Sequence, residues 1–339
     1  MRMRSSLKLL LAAALLAPVT YSLTGCGCGF DCNSGNNNDE PSSLTLGFSD
    51  SLPEDLKEVV IEVDSITLQR SGADDIVIDT FTIDDLNLTD AETFQIDLLE
   101  YRGVRQLEVI TDLEIDSGTY SGIALSIIDG DINSSYAKEA DDSLKEIEVV
   151  GDLQLPGMKL SSGDQAFTVE FGLAQSLRFQ STEDNYRLAN VGIRVENTVT
   201  TAKLSGLVDS ALFDAVSPCD EKTEPEEGNR LYLYEGTGLR TISLADVFTS
   251  SSANDVPDNA IAPFAVASLV ENTFTGNWEY VFGYLPAGDY TMVFACDTTE
   301  DDSVDYDGLV IPLPEEQVYE LTLAEQENAV CNVSDAVSC

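Results

Sequence analysis

The residues best equipped for chemistry in this chain are its carboxylates. The sequence holds 61 Asp and Glu against 17 Lys and Arg, with no histidine, for a formal charge of −44 over 339 residues. Without an imidazole, a serine or cysteine nucleophile loses its usual general base and a transition metal loses its commonest ligand. No glycine-rich phosphate loop, nucleophile elbow or Walker-type lysine occurs. Two chemistries survive. Paired carboxylates could cleave a glycosidic bond, although any pair picked from 61 is arbitrary. Clustered carboxylates could also hold calcium, a hard cation that takes oxygen ligands from loops. Residues 297–308 read Asp-Thr-Thr-Glu-Asp-Asp-Ser-Val-Asp-Tyr-Asp-Gly, which makes Asp301, Asp305 and Asp307 the candidate calcium ligands. Asp305-x-Asp307-Gly308 matches part of an EF-hand loop, but Ser303 replaces the first Asp and Pro314 occupies position twelve. Asp129-Gly130-Asp131 is a second such cluster, and the opposing reading of both is a solvated acidic turn.

Seven cysteines complete the reactive set. Cys26 stands apart. It follows Leu23-Thr24-Gly25, an eleven-residue apolar run from Leu9 to Val19, and a positive start at Arg2, Arg4 and Lys8. The run is too short for a membrane span, which needs about 20 apolar residues. The arrangement resembles a bacterial lipoprotein signal at residues 1–25, which implies acylation of Cys26 and attachment to a membrane through that lipid. Gly27 is not the Asp that favours inner-membrane retention in enterobacterial lipoproteins, and by that resemblance the expected address is the outer membrane. The other six cysteines, Cys28, Cys32, Cys219, Cys296, Cys331 and Cys339, are an even number in an oxidising compartment and are disulfide candidates. Cys331 could close the tail with Cys339 and Cys219 could reach Cys296, but sequence alone does not fix pairing. Zinc is disfavoured, since there is no Cys-x-x-Cys pair and no histidine.

The acid is spread evenly. Residues 43–200 carry 32 acidic and 10 basic residues and residues 203–339 carry 26 and 4, a balance of −22 in each. Such a chain repels nucleic acid and anionic headgroups, and the even spread reads as a salt-tolerant solvated surface. Disorder is the competing reading of so acidic a chain, but 43% hydrophobic residues in alternating runs can bury a core.

Residues 26–42 are polar and rich in Gly and Asn, a flexible tether behind the lipidated Cys26. Beyond it, apolar residues alternate with period two: Leu44-Leu46-Phe48, Val59-Ile61-Val63, Ile123-Leu125-Ile127, Phe167-Val169-Phe171 and others up to Val195. The apolar phase is odd through Val63 and even at Ile66 and Leu68, so a β-bulge near Asp64-Ser65 is needed to keep both sets facing one core. A second series includes Leu204-Gly206-Val208, Leu231-Leu233, Trp278-Tyr280-Phe282 and Tyr290-Met292-Phe294, and Ser250 to Asn259 reads as a long loop. The expected fold class is all-β, with two β-sandwich domains, immunoglobulin-like or transthyretin-like, at 43–200 and 203–339. Ile115-Asp116-Ser117-Gly118-Thr119-Tyr120 and Leu285-Pro286-Ala287-Gly288-Asp289-Tyr290 share a spacing that suits a tyrosine corner, with Gly in the turn and the hydroxyl bonded to upstream backbone.

Residues 44–200 resemble the bacterial lipoprotein family known as domain of unknown function 4382. The resemblance rests on Leu44 to Pro53, the long strand Val59 to Gln69, Ile96-Asp97-Leu98-Leu99, Gly118-Thr119-Tyr120, and Phe167 to Leu177 followed by Tyr186-Arg187-Leu188. It departs at Ser51, where Ala is usual, and in lacking a Trp after the long strand. The resemblance implies an exported β-sandwich and supplies no catalytic residues. Phe274 to Met292, with its Leu-Pro-x-Gly-x-Tyr turn, is similar to the carboxypeptidase-regulatory or transthyretin-like modules, a signature of architecture only.

These readings lead to a lipid-anchored envelope binding or structural module without catalytic activity, adhesive or carbohydrate-binding, whose partner is a glycan or an envelope protein and not nucleic acid. Its aromatic loop candidates are Tyr136, Trp278 and Tyr306, with Trp278 better placed for a core. The alternative is a glycosidase-like hydrolase, which requires a concave cleft holding two carboxylates with raised pKa values.

Overall fold

Twenty-three strands and a few single-turn helices account for the regular structure of the computed structural model, which describes residues 41–50, 56–249, 256–302, 304–334 and 339. The fold is all-β, and Asp39–Cys339 form one compact unit. Cys26, Cys28, Cys32 and Ser51 lie outside the described residues.

The first half is organised on two strands. Pro41–Ser49 lies inside a four-stranded sheet, parallel to Gly163–Glu170 and antiparallel to Leu107–Asp116, with Arg194–Asn197 outside Gly163–Glu170. Leu56–Arg70 is the spine of a nine-stranded sheet and pairs along most of its length with Gly118–Ile128. Its register skips Asp64 between Val63 and Ser65. Val59, Ile61 and Val63 before the skip, and Ile66 and Leu68 after it, are all fully buried. This is the bulge that the phase change requires. One hydrophobic core lies between the two sheets, built from Leu44, Leu46 and Phe48 of the first and the Val59 to Leu68 series of the second.

Two four-stranded sheets make the second half. One runs Val270–Asn272, Asn277–Leu285, Ala202–Val208, Asn328–Val330, and the other Ala265–Ser268, Arg230–Glu235, Gly288–Ala295, Val318–Leu323. Leu204, Leu231, Leu233, Tyr280, Phe282, Met292 and Phe294 fill the space between them, closed by the Cys219–Cys296 disulfide. A disulfide also joins Cys331 to Cys339. The outer face of the second sheet is covered as well. Tyr232, Tyr234, Val266 and Val293 pack there with Leu244, Val247 and Ile311 from the long connections. Leu231 to Tyr234 are therefore all buried, and two hydroxyls on the covered face find partners: Tyr232 donates to Asp301 Oδ2 at 2.6 Å and Tyr234 to the Ala245 carbonyl at 2.6 Å.

Both tyrosine corners form. Tyr120 donates to the Asp116 carbonyl at 2.9 Å and Tyr290 to that of Pro286 at 2.8 Å. The glycines differ: Gly118 has a φ of 148°, closed to most L side chains, whereas Gly288 is not among the positive-φ residues.

Candidate functional site

A cleft of about 900 Å³ with a charged lining opens where the start of the Leu56–Arg70 strand meets the loop after Phe94–Asp97. Lys57, Glu58, Asp97, Glu100, Arg102, Arg105 and Tyr136 line it. Most of these groups are held by local chemistry. Asp97 caps the short helix Leu98–Glu100 and its Oδ1 accepts from the Leu99 amide at 3.1 Å and the Val59 amide at 3.0 Å. Burial raises its pKa, and these two bonds oppose the rise. Glu58 accepts from Lys138 at 2.8 Å and from the Tyr136 hydroxyl at 3.0 Å, and the Lys138 bond above all lowers its pKa. Lys57 pairs with Asp142 at 3.0 Å. Arg102 and Arg105 make no ion pair among the described residues, and both are exposed.

The loop carrying these two arginines is fixed from both sides. The Asp50 amide donates to Tyr101 O at 2.9 Å and the Gly103 amide to Asp50 O at 3.1 Å, while Arg102 Nε donates to Leu99 O. From the second half, the Tyr284 hydroxyl donates to Val104 O at 2.9 Å, and Gly283 approaches so closely that a Cβ there would lie 1.9 Å from Gly103 O. Tyr284 holds a φ of 47°, an uncommon conformation for a bulky residue, at this joint.

Behind the loop lies a sealed polar cluster. Glu170 is fully buried and neither carboxyl oxygen has a hydrogen-bond partner among the described residues; the neighbouring Ser49 hydroxyl donates to Tyr101 O. Arg194, opposite Glu170 in the register, donates to Gly283 O at 3.1 Å and stacks 4.8 Å over the Phe264 ring. Burial pushes Glu170 up to about 7 against the pull of Arg194, and Glu196, also beside Arg194, up to about 7 for the same reason. Both are raised as the hydrolase reading asks, but neither lines the charged cleft.

The sequence-predicted residues fall as follows. Asp301 turns inward, its side chain fully buried; besides Tyr232 it accepts from the Val247 amide at 3.1 Å and lies 3.5 Å from Arg230. Asp305 and Asp307 are exposed, and Asp307 Oδ2 accepts from the Asp302 amide at 2.6 Å. The three are not brought together as a ligand set, and no group of three or more His, Cys, Asp or Glu among the described residues is arranged to hold a metal. The donors do not fit calcium, because the oxygens of Asp301 are already engaged by a phenol, an amide and a guanidinium. Asp131 Oδ1 accepts from the Asn133 amide at 2.9 Å, as a simple acidic turn does. Of the aromatics, Tyr136 belongs to the strand Tyr136–Glu139 rather than to a loop, with its hydroxyl on Glu58. Trp278 is half-buried edge-on against Phe213 at 5.4 Å, and Tyr306 edge-on against Phe248 at 5.9 Å. The cleft's arginines were not singled out by sequence, and the one signal available was Arg102-Gly103-Val104-Arg105, two cations three residues apart in a strongly acidic chain.

Fold and site together define an all-β protein with an open, mixed-charge cleft and with the two carboxylates pushed up to about 7, Glu170 and Glu196, outside its lining. Residues 41–189 match the family model described as Domain of unknown function (DUF4382). No curated protein matches the sequence. Solved structures that the chain matches include the Bacillus anthracis TIE protein, at 8% identity and a TM-score of 0.18 with 87% of this chain and 34% of that one covered. A leucine-rich repeat protein from Bacteroides thetaiotaomicron shows 10% identity and a TM-score of 0.20, with 88% and 26% covered. BcpA, the major pilin subunit of Bacillus cereus, shows 9% identity and a TM-score of 0.17, with 88% and 71% covered. This chain spans about a third of the first protein's length and about a quarter of the second's, and likenesses this weak carry no argument about it. No helix among the described residues is long and apolar enough to cross a membrane.

Proposed function

We propose that this protein is a cell-envelope binding module, held at the outer membrane by acyl chains on Cys26 and set off from it by the polar tether that precedes the strand Pro41–Ser49. It engages its partner without making or breaking bonds, the adhesive or carbohydrate-binding role that the sequence suggests. Residues 203–339 act in this reading as a transthyretin-like sandwich that braces the first domain, 43–200. The observation that carries the proposal is the division of labour among carboxylates. In the cleft, Glu58 and Asp97 are committed to internal hydrogen bonds and the exposed Glu100 is not, while the carboxylates pushed up to about 7, Glu170 and Glu196, sit beside Arg194 in the joint. A hydrolase needs a raised acid and an ionised partner that are both free to face substrate, whereas Asp97, the raised carboxylate of the cleft, has its Oδ1 held by the Val59 and Leu99 amides and Glu58 is held by Lys138 and Tyr136. Glycan-array binding together with turnover assays on the same glycans tests this: retention without cleavage is the expected result, and release of reducing ends that Glu58→Gln or Asp97→Asn abolishes would overturn it.

A further inference from the structure

The cleft has a composition that narrows its ligand. We infer that it is a binding site for an acidic saccharide, with Arg102 and Arg105 taking the ligand's carboxylate. The inference rests on the binding-module reading and names the ligand class for it.

Three observations converge. First, Arg102 and Arg105 make no ion pair among the described residues, although the chain is rich in acid and the other cation of the cleft, Lys57, is paired. An exposed guanidinium so surrounded normally finds a carboxylate, because its planar fork matches one in two parallel hydrogen bonds. Second, the arginines are pre-positioned. Arg102 Nε is tied to Leu99 O, its two terminal nitrogens make no hydrogen bond among the described residues, and the Arg105 amide closes a turn on Arg102 O at 3.2 Å. The loop backbone is clamped by Asp50 on one side and by Tyr284 on the other, so little ordering cost remains at binding. Third, the rest of the lining suits a polyhydroxylated ligand. Glu100 is exposed and no side-chain hydrogen bond among the described residues holds it, so it can accept from sugar hydroxyls, and Tyr136, its hydroxyl fixed on Glu58, lines the same space. A nucleic acid is excluded by the chain's net charge of −44, whereas a short acidic saccharide is repelled only by charges within about 8 Å at physiological salt.

Calorimetric titration of the full-length protein in detergent with a galacturonate octamer tests the site, beside a galactose octamer of equal length and a glutamate octamer of equal charge. The expected result is saturable binding of the galacturonate octamer alone. Arg102→Gln with Arg105→Gln should weaken it at least tenfold. Lys159→Gln with Arg240→Gln, which removes two exposed cations outside the cleft, should leave it unchanged. Equal binding of the glutamate octamer, undiminished binding by the Arg102 and Arg105 double variant, or no binding of the galacturonate octamer would each overturn the inference. Retention of a neutral glycan with an affinity indifferent to the double variant would overturn it while leaving the binding-module reading intact.

Discussion

Replacing Glu170 by Gln should stabilise the protein at alkaline pH and do little in mild acid. Glu170 is fully buried with no hydrogen-bond partner for either oxygen among the described residues, and burial lifts its pKa from 4.5 to about 7 despite Arg194 opposite. A carboxyl whose folded pKa exceeds its unfolded value contributes its full stability below the unfolded pKa. That contribution is lost as pH rises between the two values and stays lost above the folded one. At ~1.4 kcal/mol per unit, the ionised group costs about 3 kcal/mol above pH 8 and less than about 1 kcal/mol at pH 5. Gln keeps the shape and never ionises. Urea unfolding of both proteins at pH 5 and pH 8.5 therefore should show near-equal midpoints in acid and a variant more stable by about 2 to 3 kcal/mol in base. The general repulsion of a −44 chain changes with pH in both proteins alike, so the difference between them isolates Glu170. A variant destabilised equally at both pH values would refute the argument, since it would mean that the ionised Glu170–Arg194 pair holds the joint together.

Three further outcomes follow from the geometry. Tyr120→Phe and Tyr290→Phe each remove one hydroxyl-to-carbonyl bond at a corner and should cost about 1 kcal/mol apiece, read by urea midpoint, with the fold retained by circular dichroism. Cys219→Ser with Cys296→Ser opens a loop spanning 77 residues and should cost about 4 kcal/mol by loop entropy, read by urea midpoint against the wild type. Asp301→Ala breaks a buried ion pair and strands the Tyr232 hydroxyl, which predicts a loss of about 3 kcal/mol that is the same with millimolar calcium or chelator; a melting temperature that rises with calcium in the wild type alone would contradict this geometry.

Strands with one face to a core were legible in the sequence, because period-two alternation records that situation directly. The bulge at Asp64 and both tyrosine hydroxyl bonds were legible for the same reason: one follows from conserving the buried face, the other from a fixed spacing. Alternation failed where the physics differs. Leu107–Asp116 breaks phase at Ile110 to Asp112, and Asp112 takes a φ of 50°, so no clean period survives. Leu153–Leu160 contains Pro156, which fits only because that strand is at the edge of its sheet. Leu231 to Tyr234 show an apolar run where both faces are covered, which hid the second core beneath the long connections. The acidic segment at 297–308 suggested a cation because composition counts carboxylates, whereas the direction of Asp301 is set by partners far away in sequence, Tyr232 and Val247. The cleft was illegible for a related reason. Its arginines gain their meaning from Asp50, Leu99 and Tyr284, which tertiary contacts alone bring to them.

The proposed role depends on the protein being held at the envelope, and the intact mass of the mature polypeptide extracted from membranes tests this most directly. The account predicts a chain that begins at Cys26 and carries the added mass of a diacylglyceryl group, with an amide-linked acyl chain on the new amino terminus. A mature protein whose cysteine is unmodified, or one that retains residues 1–25, would contradict it.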